Sequence, residues 1–320
     1  MEVLLKESME AKFREVFGLK EYKIYFAPGR VNLIGEHTDY NGGHVFPCAL
    51  TIGTYALVAD RNDDMIRLFS MNFADEGEFR VPIRDLEKER PDHWSKSPLG
   101  VFKTFKNNGY SIEHGYDILI NGNIPNCSGL SSSASLEVLI GTILRDSLKN
   151  CDISMVEVAE YGKYAENTYC GCNCGIMDQF ASAMGKKDHA ILLDTNTMVY
   201  ESVPIKLEDE KIVITNSKVK HNLADGGYNN RREGAEAALA DLQKAIEVET
   251  LGDLTEEEFE EHSYAITDDT NYYRAKHAVY ENRRTLKAVE ALRDGNLELF
   301  GKLMYASHMS LRDDYEVSCE

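Results

Sequence analysis

Hydrophobic residues recur every three or four positions along much of this chain, which is the spacing of an α-helix with one buried face. In the first half this pattern predicts helices at residues 2–17, 98–107, 131–148 and 153–168. In the second half it predicts helices at residues 226–247, 254–263, 271–293 and 295–320. We therefore expect the second half to be almost entirely helical.

Shorter apolar runs, rich in β-branched and aromatic residues, lie between the predicted helices. In the first half they predict strands at residues 23–27, 45–49, 51–58, 65–71, 78–82 and 115–120. Later runs predict strands at residues 190–193, 198–200 and 212–215. The pattern breaks near Gly185, so we expect an α+β protein with a first domain at residues 1–185 and a second, mostly helical domain at residues 186–320.

The composition is that of a globular protein, with 43% hydrophobic and 28% charged residues in a chain of 320. A formal net charge of −19 argues against nucleic acid or an anionic membrane surface as a partner. The sequence has no apolar run of the length, about eighteen residues, that a membrane helix needs, and its N-terminus lacks the pattern of a signal peptide. Seven cysteines, an odd number, favour reduced thiols, so we expect a cytoplasmic protein.

Residues 29–43, GRVNLIGEHTDYNGG, carry the most informative pattern in the chain. They place Arg30, Glu36, His37 and Asp39 in one short segment between two predicted strands. Carboxylates and an imidazole suit the neighbouring hydroxyls of a sugar, and an arginine suits an anion or a developing negative charge. The alternative is a turn with a solvated charge cluster, which fits Arg30 or Asp39 alone but fits the whole run poorly.

A second informative segment, PNCSGLSSSAS at residues 125–135, follows a predicted strand and leads into a predicted helix. Small residues at a helix N-terminus leave backbone N–H groups accessible, and these groups together with the helix dipole favour a phosphate. Simple N-capping of the helix by a serine is the alternative. Because the segment lacks the lysine of a Walker A loop, it predicts a different kind of nucleotide site.

A third segment, residues 166–180, places Gly175 where a helix begins and Asp178 in its first turn. The helix dipole favours an ionised carboxylate there, and a purely structural aspartate at the helix start is the alternative. The same segment contains a C-x-C-x-C pattern formed by Cys170, Cys172 and Cys174. Without a second cluster or a histidine pair, this pattern favours small buried thiols over a zinc site.

Together, the three segments resemble the signatures of galactokinases, a family within the GHMP superfamily of small-molecule kinases. Residues 29–43 resemble the first signature, the GLSSS core at residues 129–133 resembles the second, and residues 166–180 resemble the segment that carries the catalytic aspartate. Residues 226–232, GGYNNRR, resemble the tyrosine-bearing turn of the family. The resemblance implies a two-domain GHMP kinase fold, with an N-terminal ribosomal-S5-domain-2-like α/β domain and a C-terminal ferredoxin-like α+β domain.

The resemblance also implies roles for individual residues. Those implied in sugar binding are Glu36, His37, Thr38, Asp39, Gly175 and Tyr228. Those implied in ATP binding are Ser70, Cys127, Ser128, Gly129, Leu130, Ser131, Ser132 and Ser133. Ser133 and Glu166 would hold Mg²⁺. Asp178 would take the proton from the anomeric hydroxyl, and Arg30 would stabilise the alkoxide and the transferring phosphoryl group.

The resemblance extends to residues 307–318, SHMSLRDDYEVS, but the sequence contains no third, glycine-rich motif of the G-x-G-x-G-G kind. We therefore expect an incomplete second domain that lacks strands and one wall of the phosphate site. A truncated sequence, a partner that supplies the missing strands and a degraded kinase are three explanations, of which we favour truncation.

The function that the resemblance implies is an ATP- and Mg²⁺-dependent kinase that converts α-D-galactose to galactose 1-phosphate, the first step of the Leloir pathway. We expect a monomer, with association through the incomplete second domain as the alternative. An N-acetylgalactosamine kinase is the nearest alternative, although Thr38 and residues 41–43 match galactokinases more closely. A non-catalytic sensor of galactose and ATP, or an inactive fragment, is an alternative of a different class. The serine motif, Arg30 and Asp178 favour an enzyme, whereas the absent third motif favours the sensor or the fragment.

Overall fold

A computed structural model of the chain describes residues 3–88, 93–125, 128–207, 209–216 and 227–318. The chain forms two compact units, each built from several stretches of sequence. The first unit comprises Met1–Gly29, Leu50–Gly171 and Asp178–Ala183, and the second comprises Arg30–Ala49, Cys172–Met177 and Met184–Glu320. The expected division into domains at residues 1–185 and 186–320 stays a prediction.

Helices and strands alternate in the first half of the chain, and helices dominate the second. The helices are α1 (Val3–Phe17), α2 (Lys96–Asn107), α3 (Ser132–Ser147), α4 (Met155–Ala165), α5 (Met177–Met184), α6 (Gly227–Leu242), α7 (Glu256–His262), α8 (Asp269–Arg293) and α9 (Leu297–Asp313). The strands are β1 (Lys23–Asn32), β2 (His44–Val45), β3 (Pro47–Asp60), β4 (Met65–Ser70), β5 (Phe79–Pro82), β6 (Tyr116–Gly122), β7 (His189–Asp194) and β8 (Tyr200–Pro204).

The first unit is built on a sheet with the strand order β1-β3-β6-β4-β5. Strand β6 pairs antiparallel with β3 and parallel with β4, and this central position explains why its residues form a nearly continuous buried run. Successive side chains of a strand point to opposite faces of the sheet. Leu57 and Leu119 therefore pack with α1, whereas Val58 and Ile118 join the core that α2, α3 and α4 cover. The sheet is thus buried on both faces.

One fully buried carboxylate, Asp117 on β6, pairs with three basic side chains of the first unit. Its carboxylate lies 2.8 Å from Nη1 of Arg61 and 3.4 Å from Nη1 of Arg67, and it also contacts the ammonium group of Lys20. A buried charge is tolerated only where opposite charges and hydrogen bonds compensate the lost hydration. Asp117 therefore ties β6 to β4 through Arg67, to the residue after β3 through Arg61, and to the loop after α1 through Lys20.

Replacing Asp117 with asparagine is expected to lower the free energy of unfolding by about 3 kcal/mol, because the basic side chains lose their shared counter-charge. The matched control is Asp63→Asn. Asp63 pairs with the same Arg61 but its side chain is 48% exposed, so its loss is expected to cost about 1 kcal/mol or less. Urea unfolding followed by circular dichroism measures both changes. Equal destabilisation by the two variants would contradict the role given to Asp117.

The second unit combines a small antiparallel sheet, with the strand order β2-β7-β8, and a group of helices. Helix α8 is central to this unit, because it contributes to two cores. With α6 and α7 it forms a core that includes Ala238, Phe259 and Val279. Its C-terminal part joins a second core that includes Val289, Phe46 and Ala190 of β7.

Most of the predicted elements are confirmed to within a few residues, including the helix that carries Asp178 in its first turn. The predicted strands at residues 45–49 and 51–58 prove to be largely one strand, β3. The predicted strand at residues 212–215 is wrong, because this segment forms no described strand and leaves Ile212, Val213 and Ile214 exposed. β-branched residues form a strand only where a neighbouring edge accepts their backbone hydrogen bonds.

The helices predicted for the second half are confirmed, but two of them are shorter than expected. The helix predicted at residues 295–320 ends at Asp313, and the helix predicted at residues 226–247 ends at Leu242. Gly226 itself lies outside the described residues. Among the described helices, none combines the length and the apolar character needed to cross a membrane.

Candidate active site

The residues predicted to act on substrates fall into two groups, one in each unit. In the second unit, Arg30 lies on strand β1 rather than in the polar loop where the sequence pattern placed it. The loop proper begins after Asn32 and ends at β2. Glu36, His37 and Asp39 all lie in this loop, as predicted.

The loop is held in shape by its own polar groups. The fully buried Oγ1 of Thr38 lies 2.8 Å from the carbonyl oxygen of Gly35 and 2.7 Å from that of His44. The side-chain amide of Asn41 donates to the carbonyl of His37 at 2.7 Å. The side chain of Thr38, which the sequence suggested for sugar binding, is therefore committed to the loop itself.

Three side chains of α8 also hold this loop, and sequence reasoning missed all three. The contacts are from Gly35 N–H to Glu281 Oε1 at 2.9 Å, from His277 Nε2 to the Glu36 carbonyl at 3.0 Å, and from His44 N–H to Asn282 Oδ1 at 2.8 Å. Buried polar groups are stable when paired in this way. The sequence signal was weak, because only His277 and Glu281 show the four-residue spacing of one helix face.

The structure brings Asp39, Gly175 and Tyr228 together. The backbone N–H of Met177 donates to Asp39 Oδ2 at 3.2 Å, so this carboxylate caps the start of α5. A Cβ atom on Gly175 would lie 1.9 Å from the same oxygen, so only glycine fits there. The N–H of Gly175 donates to the Tyr228 hydroxyl at 3.4 Å.

The imidazole of His37 lies among aromatic rings. Its Nδ1 lies 2.9 Å from the Tyr40 hydroxyl, and its ring centroid lies 5.5 Å from that of Tyr228 and 4.7 Å from that of Tyr315. Burial lowers the pKa of His37 to about 3, and the nearby positive charges of Arg231 and Arg274 act in the same direction. His37 is therefore a neutral imidazole, with one nitrogen that donates and one that accepts.

The second group of predicted residues lies in the first unit, where the serine-rich segment leads into α3. This helix begins at Ser132, one residue later than predicted, and the buried hydroxyl of Ser128 has no hydrogen-bond partner among the described residues. The backbone of the serine-rich segment passes close to Gly29. A Cβ atom added to Gly29 would lie only 2.7 Å from the carbonyl oxygen of Leu130. Cys127, predicted to bind ATP, lies outside the described residues.

Ser70, also predicted to bind ATP, is buried at the end of β4. Its hydroxyl accepts a hydrogen bond from the backbone N–H of Asn72 at 3.3 Å, which caps the short helical turn at Met71–Glu76. The side-chain amide of Asn72 in turn pairs with the backbone of Gly122. The structure thus gives Ser70 a role in local folding, and its contact with a nucleotide stays a prediction.

Asp178 and Glu166 both meet serine hydroxyls of the α3 N-terminus. The Ser131 hydroxyl donates to Asp178 Oδ2 at 2.6 Å, and Ser133 hydrogen-bonds Glu166. Glu166 begins a π-helical turn at Glu166–Cys170 that follows α4, a distortion that often marks functional sites. Burial raises the pKa of Glu166, and the charge of Asp178 acts in the same direction. Two carboxylates and two hydroxyls are thus gathered at one helix N-terminus.

A second pair of polar side chains lies behind Glu166, and sequence reasoning missed this pair as well. The amide of Gln179 donates to Glu137 Oε2 at 2.9 Å and to Glu166 Oε2 at 3.0 Å, and the Ser97 hydroxyl donates to Glu137 Oε1 at 3.1 Å. Burial raises the pKa of Glu137 well above its usual range, and the neighbouring Glu166 adds to the shift. One sign of this pair was present in the sequence, because Glu137 is a charged residue within the apolar run of α3.

The oxygen-rich group of Ser133 and Glu166 suits a hard cation such as Mg²⁺, and the α3 N-terminus suits phosphate. The cysteine pattern shows no comparable arrangement. Cys172 is buried, and Cys170, Cys172 and Cys174 carry thiols rather than disulfides. No cluster of three or more candidate metal ligands occurs in the part of the chain that the structure describes.

Two protein-family models match the chain. The galactokinase galactose-binding signature matches residues 11–60, and the N-terminal domain of GHMP kinases matches residues 97–186. These matches contain the loop of the second unit and the serine-rich segment with Asp178. The resemblance inferred from the sequence motifs is confirmed.

The chain is also similar to galactokinases along nearly its whole length. It is 55% identical over 310 residues to the galactokinase of Clostridium beijerinckii and 54% identical over 310 residues to that of Clostridium acetobutylicum. Each match covers 97% of this chain and 79% of the relative. The crystal structure of Lactococcus lactis galactokinase complexed with galactose matches with a TM-score of 0.90 and 43% identity, over 99% of this chain and 81% of that chain. The α+β class predicted from the sequence is confirmed.

Proposed function

We propose that this chain, which belongs to the galactokinase family, transfers the γ-phosphoryl group of ATP to the anomeric hydroxyl of α-D-galactose. The products are galactose 1-phosphate and ADP, and the reaction is the first step of galactose catabolism. The observation that carries the proposal is the hydrogen bond from the Ser131 hydroxyl to Asp178 Oδ2 at 2.6 Å. A carboxylate, the proposed base, therefore lies at a helix N-terminus that suits phosphate.

The sugar binds at the loop of the second unit. Glu36, Asp39 and neutral His37 provide acceptors and a donor for neighbouring hydroxyls, and Gly175 and Tyr228 lie against Asp39 and His37 respectively. In this proposal Thr38 acts indirectly, by keeping the loop in shape. A family relative with bound galactose, the L. lactis enzyme, supports this choice of sugar.

ATP binds by its phosphates at the N-terminus of α3. The N–H groups at that helix start favour an anion there, and the hydroxyl of Ser128, which has no hydrogen-bond partner among the described residues, adds a donor. Ser133 and Glu166 would hold Mg²⁺, because both offer oxygen atoms and already contact each other. The bound ion would neutralise charge on the phosphate oxygens. Contacts of Ser70, Cys127, Gly129 and Leu130 with the nucleotide are part of the same proposal.

Asp178 is the proposed base, and Arg30 is the proposed stabiliser of the alkoxide and the transferring phosphoryl group. The hydroxyl of Ser131 fixes the orientation of the Asp178 carboxylate. An aspartate is a weak base, but phosphoryl transfer proceeds through a loose transition state in which positioning and electrostatics matter more than base strength. The two residues therefore suit the reaction through their positions and charges.

The product identifies the reaction directly. The chain is incubated with Mg·ATP and galactose, and the phosphorylated sugar is analysed by ³¹P NMR and mass spectrometry. We expect one phosphate, coupled to the anomeric proton of α-galactose. Faster turnover of N-acetylgalactosamine than of galactose would show that N-acetylgalactosamine is the substrate. Galactose binding in a calorimeter without any phosphorylated product would favour a non-catalytic sensor or an inactive chain.

We also propose a monomeric protein of the cytoplasm with domains at residues 1–185 and 186–320. The odd number of cysteines in the sequence supports a reducing compartment. Because the protein is acidic overall, we propose that individual groups in the site, and not a basic surface, bind the substrates. Gel filtration with light scattering measures the oligomeric state.

A further inference from the structure

The buried positions of α9 are occupied by serines rather than by apolar residues. Of the described residues of this helix, only Ser307 and Ser310 are buried, and because they lie three positions apart they share one face of the helix. Apolar residues normally occupy the buried face of a helix. Both serines belong to the sequence motif at residues 307–318, to which the proposed function assigns no role. Their hydrogen-bond partners on α8 therefore indicate what this motif does.

Ser307 contacts Glu281 on α8, and Glu281 in turn contacts the backbone of Gly35. The Ser307 hydroxyl donates to Glu281 Oε1 at 2.6 Å, and the Gly35 N–H donates to the same oxygen at 2.9 Å. Nε of Arg284 donates to Oε2 at 2.8 Å. Burial acts to raise the pKa of Glu281, but these hydrogen bonds and the nearby basic side chains outweigh burial and lower that pKa below its usual value. Glu281 is thus an ionised carboxylate, so the direction of all three hydrogen bonds is fixed.

Ser310 contacts His277, which lies one helical turn before Glu281 on α8. The Ser310 hydroxyl lies 2.9 Å from Nδ1 of His277, and Nε2 of His277 lies 3.0 Å from the carbonyl oxygen of Glu36. A carbonyl oxygen only accepts, so Nε2 carries a proton and donates it to Glu36. This bond keeps the same direction whichever of Ser310 and Nδ1 donates in the other one.

These two contacts hold the backbone on either side of the Cα atom of Glu36. Glu281 binds the N–H of the preceding residue, Gly35, and His277 binds the carbonyl group of Glu36 itself. The rotamers available to a side chain depend on the backbone dihedral angles of its residue. The direction of the Glu36 carboxylate is therefore coupled to α8, and through the two serines it is coupled to α9.

We propose that α9 positions the carboxylate of Glu36 for the sugar through two side chains of α8, Glu281 and His277. These two side chains and the two serines are positioning residues, because they contact the loop or each other and the sugar is contacted by Glu36. The motif at residues 307–318 thereby contributes to sugar affinity. The part of this inference that concerns the sugar rests on the proposed function. The constraint on the backbone of Glu36 depends only on contacts within the second unit.

Hydrogen exchange of the Gly35 N–H, followed by NMR, tests this constraint without any sugar. Ser307→Ala removes one donor to Glu281, so the carboxylate is held less firmly and Gly35 is expected to exchange about five-fold faster. Amides within α8 are the internal reference, because a general loss of stability would speed their exchange as well. Unchanged exchange of Gly35, or equal acceleration throughout α8, would overturn the proposal whether or not the chain is a kinase.

The effect on the sugar is measured by calorimetry and kinetics with His277→Phe and His277→Gln. Phenylalanine keeps a ring next to Tyr315, against which His277 packs at a centroid distance of 4.4 Å, but it removes the donor to Glu36, whereas glutamine keeps a donor. His277→Phe is expected to raise the galactose dissociation constant and KM about ten-fold with kcat nearly unchanged, and His277→Gln to restore most of the affinity. Tyr280→Phe, which removes a hydrogen bond from α8 to Glu260, is the control and should leave galactose affinity unchanged. Equal losses in the two His277 variants would contradict the role of the Nε2–H donor.

A double-mutant cycle separates the positioning of Glu36 from a general loosening of the loop. In a Glu36→Ala background the carboxylate is absent, so His277→Phe is expected to weaken galactose binding further by about two-fold or less instead of about ten-fold. An undiminished loss would show that His277 does not act through Glu36 and would overturn the proposal. Failure of the wild type to bind galactose would contradict the proposed function, and the exchange of Gly35 would still decide whether α9 constrains the loop.

Discussion

Asp178→Ala is expected to lower kcat by about 10³-fold, within the range that a positioned general base contributes, while galactose affinity changes less than about two-fold. The carboxylate of Asp178 accepts a hydrogen bond from the Ser131 hydroxyl at the helix start proposed to bind phosphate. The contacts proposed for the sugar, in contrast, come mainly from the loop at residues 36–39. Removal of the side chain should therefore affect the chemical step and spare ground-state binding. Coupled-enzyme detection of ADP gives kcat, and calorimetry gives the sugar affinity.

Ser131→Ala serves as the comparison for this prediction. It removes the donor that orients Asp178 but leaves the carboxylate in place, so a smaller loss of about ten-fold in kcat is expected. Near-normal turnover by Asp178→Ala would remove Asp178 from the mechanism. A loss of galactose affinity as large as the loss of kcat would make it a binding residue instead.

Gly175→Ala is expected to weaken galactose binding by about 100-fold, because the new methyl group would occupy the position of the Asp39 carboxylate. The Cβ atom would lie 1.9 Å from Oδ2 of Asp39, so the carboxylate must leave the N–H of Met177. Loss of hydrogen bonds to a charged group costs about 1.5–3 kcal/mol, and the upper end of that range corresponds to about 100-fold in affinity. Calorimetry with galactose measures the effect, and ATP affinity should stay within about two-fold.

The control for Gly175→Ala is Gly301→Ala. Gly301 lies within α9, where an added Cβ would meet no atom within 4 Å, so alanine is expected to leave sugar binding unchanged and to favour the helix slightly. Thermal unfolding of both variants checks that the fold is retained. Normal galactose affinity in Gly175→Ala would show that Asp39 does not hold the sugar.

Much of the fold follows from local patterns in the sequence. The helix with Asp178 in its first turn was predictable because a glycine precedes it and apolar spacing follows it. The serine-rich segment before α3 was predictable because small residues separate a strand from a helix. Where the pattern failed, at residues 212–215, the deciding factor was a pairing edge that no local pattern reveals.

Part of the candidate site was predictable from the sequence. Arg30, His37 and Asp39 stand out because their chemistry is concentrated in one short segment. The groups that hold them, such as Glu281 on α8 and Tyr315 beyond α9, are more than 200 residues away in sequence and have no distinctive spacing relative to the loop. Their roles follow from tertiary contacts, as does the pairing of Gln179 with the buried carboxylates.

The most direct test of the proposed function is ADP release by this 320-residue chain with Mg·ATP and galactose. Parallel reactions contain N-acetylgalactosamine, glucose or mevalonate in place of galactose, and Asp178→Ala is the control protein. We predict ADP release that requires galactose and is lost in Asp178→Ala. No ADP release with any substrate, or faster ADP release with a substrate other than galactose, would contradict the assignment of this chain as an active galactose kinase.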